Sequence, residues 1–408
     1  MARASSTTTR PSSRRSPPAF YALFAGAAAL ALVLARRTFV GVRNDDADYV
    51  LGALSLLPGV RARLGLPAYS AFGYHWPGLS LVLAPFAALF APHWEALKVV
   101  PLGLTFAAAA VVRSGWGVRL RPPWDLGVPL LFLFNPWTLE LSGCVMTEPL
   151  FLLLALLAFA LLDRARRGDA LATARLSSAL TLAAVTRPEG LALLAAVAAG
   201  AARERRWRLL GLVAAPPLLT LGAIACVKAA SGAATPGYWL DLRRNWEGLG
   251  LLWRLRHGLS LLTGLFSGVM LALPGSADPW ILGAGALLAA LCLGVCVRGW
   301  RELRRSALSP AAATAVPVFA AGHLFIHWLW PVVDGRFLWL LLPFALAAFA
   351  SGCRRGSPSR RPPTWAACRS WRWKRSGTRW RRPTATCSPG WRAGQSGRRR
   401  TRRGASGR

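Results

Sequence analysis

The chain has 408 residues, of which 54% are hydrophobic and only 16% charged, with a mean hydropathy of +0.38. A soluble domain carries about a quarter charged residues, so long Ala-, Leu-, Val- and Phe-rich runs broken by arginine clusters indicate an all-α, polytopic membrane protein. The net charge of +34 needs no nucleic-acid partner: 18 of those charges lie in residues 353–408, and the remainder suits arginine-rich cytoplasmic loops.

Residues 1–18 form a basic N-terminal segment rich in Arg, Ser, Thr and Pro. The apolar run from Ala19 to Ala35 follows. Ser13-Arg14-Arg15 hints at a twin-arginine signal, but the run meets Arg36-Arg37 instead of a small-residue cleavage site, so it reads as an uncleaved first span. A span needs about 20 apolar residues, with tolerance to roughly 17. Candidates fall near 19–35, 77–91, 96–112, 124–139, 147–162, 171–186, 189–202, 209–230, 257–273, 280–297, 311–331 and 336–351, or about 10–12 hydrophobic segments within a domain over 19–351. Pro77, Pro85, Pro101, Pro129 and Pro136 interrupt the early ones, which makes re-entrant or interfacial placement an alternative there.

Arginine clusters set the expected orientation. Arg3, Arg10, Arg14 and Arg15 put the N-terminus in the cytoplasm, and Arg164–Arg175, Arg203–Arg208 and Arg298–Arg305 mark further inner loops. Asp45/Asp46, Glu140/Glu148, Arg187/Glu189 and Asp334/Arg336 then face outward, provided that one segment between 77 and 112 and one between 257 and 297 fail to cross. The first outer loop, 36–76, is amphipathic and is expected to lie along the membrane as short helices. Ser231 to His257 mixes Trp with Arg, as an interfacial belt does. Seven scattered cysteines without a CxxC pair, and five scattered histidines, give a zinc or disulfide framework little support; Cys292 and Cys296 read as packing on one helix.

Charged side chains inside a bilayer are expensive, so those at span boundaries mark a working surface. Asp45-Asp46-Ala47-Asp48-Tyr49 follows the first span, and its adjacent carboxylates repel, which suits a shared proton or a metal. His75-Trp76-Pro77-Gly78 opens the next apolar segment. In Thr147-Glu148-Pro149, Thr147 reads as a helix cap and Glu148 as a first-turn charge or a site acid. Arg187-Pro188-Glu189-Gly190 offers an Arg187–Glu189 pair or a phosphate ligand. Asp334-Gly335-Arg336-Phe337 precedes the last segment, and His323 and His327, spaced i,i+4 one segment earlier, are placed to line the same cavity.

Taken in order, these motifs resemble the polytopic glycosyltransferases of GT-C type, the superfamily of protein mannosyltransferases and aminoarabinose transferases. The resemblance spans roughly residues 19–351. It implies an enzyme that moves a sugar, a mannose-like hexose or a pentose, from a polyprenyl-phosphate donor to a lipid, glycan or protein acceptor at the outer face of the plasma (inner) membrane. Asp45 matches the family's base, with Asp46 its neighbour. His75, Glu148, Arg187 and Arg336 match substrate-binding positions, Arg336 as the clamp on the donor phosphate. Asp46 and Glu148 are the candidates to hold Mg²⁺ or Mn²⁺, hard ions that prefer carboxylate oxygens. Two other classes fit a polytopic chain: a transporter or flippase, whose ionisable groups belong nearer mid-membrane, and a polysaccharide polymerase of the cell envelope.

Residues 352–408 are a different text. From Cys353 onward the chain holds 17 Arg and Lys374 but no Leu, Ile, Val, Phe or Met. Too little aliphatic material remains for a core, so an arginine-rich, disordered tail is expected. An out-of-frame reading of a GC-rich gene would give the same composition; a basic arm for nucleic acid or anionic lipid is the functional reading.

Overall fold

A computed structural model describes residues 18–37, 39–41, 45–66, 75–116, 120, 122–230, 243, 247, 250–271, 279–306, 308–330 and 334–353. Among these residues every regular element is helical and there is no strand. The chain divides into two units, 1–355 and 356–408. The second lies outside the described residues, as do the basic N-terminal segment and most of the Trp- and Arg-rich stretch from Ser231 to His257.

The helices in chain order are α1 (Pro18–Ala35), α2 (Asp45–Ser55), α3 (Pro58–Arg63), α4 (Gly78–Phe90), α5 (Val99–Val111, entered through a 3₁₀ turn, Trp94–Lys98), α6 (Trp124–Leu133), α7 (Pro136–Ser142) and α8 (Thr147–Ala165). Then come α9 (Ala170–Thr186), α10 (Glu189–Arg203), α11 (Trp207–Ala230), α12 (Leu251–Thr263), α13 (Pro279–Ser306), α14 (Pro310–Leu329), α15 (Gly335–Trp339) and α16 (Leu342–Gly352). The loop over 36–76, expected to face outward, holds two short helices, α2 and α3. Glu95 accepts from the Val40 backbone at 2.9 Å, and buried Lys98 pairs with Glu95 and donates to the Ala35 carbonyl, so α1 is tied to the start of α5.

Among the described residues four stretches are long and apolar enough to cross a membrane: Trp94–Gly115, Trp207–Ala230, Gly283–Ser306 and Pro310–Leu329. A fifth results if α7 and α8, bent by 111° at their junction, form one broken span. The chain is thus a multi-pass membrane protein by the composition of its helices. Fewer segments reach bilayer length than hydropathy alone counts. A helix rises 1.5 Å per residue, so the 13 residues of α4 and the 10 of α6 fall short of a core about 30 Å thick. The segment expected over 336–351 is two helices, α15 and α16, separated at Leu340-Leu341.

The core runs through α8, α9, α10, α14 and α16, where Phe151, Phe159, Phe319 and Phe344 pack edge-on or tilted against one another. α8 buries 14 of its 19 residues and α16 buries 9 of its 11. By contrast α11 leaves Leu212, Leu218, Leu219 and Val227 more than half exposed, an apolar surface that suits lipid. Cys292 and Cys296 are buried on α13, with the Cys296 thiol against the Ala345 carbonyl of α16, so they pack as the sequence suggests.

Candidate functional site

A cavity of about 200 Å³ is lined by residues from every one of the five sequence motifs: Asp45, His75, Glu148, Arg187, Arg336 and their neighbours. Short connections at one end of the helices bring them together. α8 begins at this cavity with Thr147, α9 ends at it with Thr186, and Arg187 and Pro188 line it just before α10 begins. The return from α9 to α10 takes two residues, Arg187 and Pro188, because Gly190 lets the helices touch: a Cβ there would collide with the Ala183 backbone. Gly78 does the same for α4, where a Cβ would strike Thr186.

The floor is a buried ionic cluster. Arg187 donates to Glu189 through Nη2 at 2.8 Å and through Nε at 3.2 Å to each oxygen, and its Nη1 reaches the Thr147 hydroxyl at 2.9 Å. That same Nη1 lies 2.9 Å from Glu148 Oε1, out of line for a hydrogen bond. Burial works against the Arg187 charge, but Glu189 and Glu148 outweigh it and hold the guanidinium above its usual range. The sequence offered two roles for Arg187, and the structure fills one of them, pairing with Glu189, while adding Glu148. Thr147 does not cap α8: the cap position is Met146, and the Thr147 hydroxyl serves Arg187 instead. The residue after a cap can spare its hydroxyl because its position inside the first turn leaves the side chain free to face a neighbouring helix end.

The rim is a second charge group, drawn from opposite ends of the chain. Asp334 caps α15 by accepting from the Arg336 backbone at 2.9 Å, and its other oxygen lies 2.7 Å from Arg336 Nε. Arg336 Nη1 then donates to Asp45 at 3.3 Å across 291 residues of sequence. Asp45 keeps a side-chain exposure of 34% and Arg336 one of 20%, so this group meets solvent while the floor does not. Asp46, its neighbour, turns away. It is 1% exposed, accepts from the Gly41 and Ala47 backbones at 2.9 Å each, and is not among the cavity-lining residues. His75 donates to Asp48 at 3.0 Å and packs beside Tyr49, their ring centroids 5.0 Å apart.

Sequence reasoning named the charged members and missed the aromatic wall. Tyr49, Trp76, Trp330 and Phe337 also line the cavity. Tyr49 is buried, and burial followed by the nearby Glu148 carboxylate raises its phenol above the ordinary 10.0. Phe337 stacks on the His327 imidazole, with centroids 4.6 Å apart, and lies under both arginines. Each of these aromatics sits in or beside a motif, so the signal was adjacency to charged residues. Of the histidine pair, His327 lines the cavity, while His323 lies behind it and donates to the Phe337 carbonyl at 2.9 Å.

No protein-family model, no curated protein and no solved structure matches the chain.

Proposed function

We propose that the protein is a membrane glycosyltransferase of GT-C type, which transfers a sugar from a polyprenyl-phosphate donor to a hydroxyl of a glycan, lipid or protein acceptor. One observation carries the reading: the Asp45–Arg336 pair stands at the mouth of a cavity walled by all five motifs. The reaction needs a base for the acceptor proton and a cation for the departing phosphate. Asp45 and Arg336 are those two groups, and each retains access to solvent. The acceptor oxygen bonds to the sugar's anomeric carbon as the carbon–oxygen bond to phosphate breaks. The acceptor proton passes to Asp45, and the polyprenyl phosphate leaves with the bonding electrons. A planar guanidinium binds phosphate oxygens bidentately, so donor binding draws Arg336 off Asp45 and frees the carboxylate for the acceptor.

The reading places His75 and the Tyr49 wall beside the acceptor, and the buried Arg187 cluster behind them as the element that fixes α8, α9 and α10. It assigns the cavity to the outer face of the plasma membrane and the N-terminus to the cytoplasm, on the strength of the arginine clusters at the opposite helix ends. Asp46 contributes by holding the loop before α2. A hard metal shared between Asp46 and Glu148 is the least supported part, because Asp46 is engaged with backbone amides.

Membranes bearing Asp45→Asn should transfer sugar from a polyprenyl-phosphate donor ~10²–10⁴-fold more slowly at unchanged protein level, the usual loss for a general base. Arg336→Gln should raise the donor KM instead. Full activity in Asp45→Asn would remove the carboxylate mechanism and leave transport as the better reading.

A further inference from the structure

Behind the cavity, three buried side chains on two helices present ligand atoms to a common point. His323 and His327 lie one turn apart on α14, and Glu189 is the first residue of α10. One ligand atom from each lies within 4.8 Å of the other two, and all three residues are at most 2% exposed. The two helices are pressed together here: a Cβ on Gly322 of α14 would sit 3.0 Å from the Ala192 Cβ of α10. The ligand positions are therefore set by rigid, close-packed elements and not by a loop.

The hydrogen bonding is incomplete in one particular way. The Phe337 carbonyl can only accept, so His323 carries its proton on Nε2 and keeps a lone pair on Nδ1, which finds no hydrogen-bond partner. A backbone carbonyl holding the far nitrogen is the usual outer support of a metal-bound imidazole. His327 Nε2 lies 3.0 Å from Glu189 Oε1 yet is misaligned for a hydrogen bond, and its Nδ1 is also unsatisfied. Ligands bound at about 2.0–2.1 Å in a tetrahedral shell stand roughly 3.3 Å apart, close to that separation. Buried polar atoms without partners are costly, and such a group in a native fold calls for an ion, a water or a ligand. Charge points the same way. Among the described residues Glu148 and Glu189 share one guanidinium, that of Arg187, and with His327 neutral the buried cluster has room for positive charge.

We infer that Glu189, His323 and His327 form a binding site for a divalent cation of the zinc class. Two imidazole nitrogens and one carboxylate oxygen favour a borderline ion over Mg²⁺ or Ca²⁺, which take oxygen shells. Histidines spaced i,i+4 on one helix face are a familiar half of such a site. Because His327 also borders the cavity, the fourth position is left to water or to an oxyanion arriving there. The inference stands apart from the glycosyl-transfer reading, since it rests on residues that reading does not use in chemistry.

The test uses the untagged, full-length protein in detergent, purified without chelator. Elemental analysis should find about one zinc per chain, and exchange with Co²⁺ should give the visible absorption of a tetrahedral site without thiolate charge-transfer bands. His323→Gln and His327→Gln should lose that absorption while keeping the wild-type circular dichroism. A wild-type chain that retains no zinc and gives no Co²⁺ spectrum overturns the inference, and pairing of a protonated His327 with Glu189 then accounts for the cluster. Thiolate bands, or an unchanged spectrum in folded His323→Gln, would place the ion elsewhere and overturn it equally. If both variants misfold, the nitrogen and oxygen signature of the wild-type Co²⁺ spectrum still decides.

Discussion

At the scale of single residues, the floor of the cavity is the most stringent part of the molecule. Arg187 is almost fully enclosed and touches Glu189, Glu148 and Thr147 at once. Removing one partner of a buried ion pair commonly costs about 3–5 kcal/mol, because the other charge is left without compensation. Arg187→Met should therefore lower thermal stability in detergent by that order. The double variant Arg187→Met with Glu189→Gln should recover part of it, since coupled neighbours are not additive; strictly additive losses would refute the pairing. Tyr49 gives a pH test. Its folded phenol is held above 10.0, so the native state keeps a proton that the unfolded chain gives up near pH ~10. Above that pH the unfolded state binds fewer protons, and stability falls as pH rises. Tyr49→Phe should remove this loss, seen as a wild-type-minus-variant difference that declines between about pH 9 and about pH 11. A flat difference would mean that the phenol is solvated. Which of these residues were legible in the sequence follows from their chemistry. Asp45, Glu148, Arg187 and Arg336 stood out because charge beside apolar runs is rare. The division of Asp45 from Asp46 did not, because nothing in two adjacent aspartates says which one will accept backbone amides.

At the scale of elements, helix starts were poorly legible: the cap read at Thr147 belongs to Met146, and the segment expected over 124–139 breaks at Asn135-Pro136 into α6 and α7. Asn135 accepts from the Trp137 amide at 3.0 Å, and its side chain also donates to the Val269 carbonyl at 2.7 Å. It thus caps α7 and ties it to the π-helical segment Gly264–Met270 that continues α12. Asn135→Ala should cost about 1 kcal/mol for the cap and about 1 kcal/mol more for the stranded, buried carbonyl. A melting curve of the variant in detergent checks this, and a loss confined to the cap alone would mean that water reaches Val269. The 111° bend between α7 and α8 falls in the gap between the segments expected over 124–139 and 147–162, although Gly143, Cys144, Val145 and Met146 carry no proline or charge to announce its angle. The bend follows from tertiary packing: all four are buried, and a Cβ on Gly143 would stand 2.9 Å from the Ala35 Cα of α1. Hydropathy therefore located the apolar segments but overcounted those of full bilayer length, since composition does not say where short helices such as α4 and α6 stop.

At the scale of the whole membrane domain, the helices around the cavity have opposite chemistry at their two ends. α8, α9 and α10 start or stop at the cavity, and their other ends meet an arginine-lined groove that includes Arg166, Arg205, Arg206 and Arg208. α8 has 19 residues and so spans about 28 Å, close to the thickness of a hydrocarbon core. If the domain is embedded with these helices across the bilayer, the cavity and the arginines must open on opposite sides, and arginine retention assigns the groove to the cytoplasm. The described cysteines are all free, with Cys226 and Cys353 exposed, so the experiment needs a background in which the cysteines are replaced. In that background a single cysteine at Asp48, whose side chain is 39% exposed beside the cavity, should react with an impermeant maleimide on intact cells. One at exposed Arg205 should react only after the membrane is opened. Labelling of both from the same side would break the transbilayer arrangement. Reversed labelling would keep the arrangement but put the cavity in the cytoplasm, where a lipid-linked donor presented at the outer leaflet cannot reach Asp45.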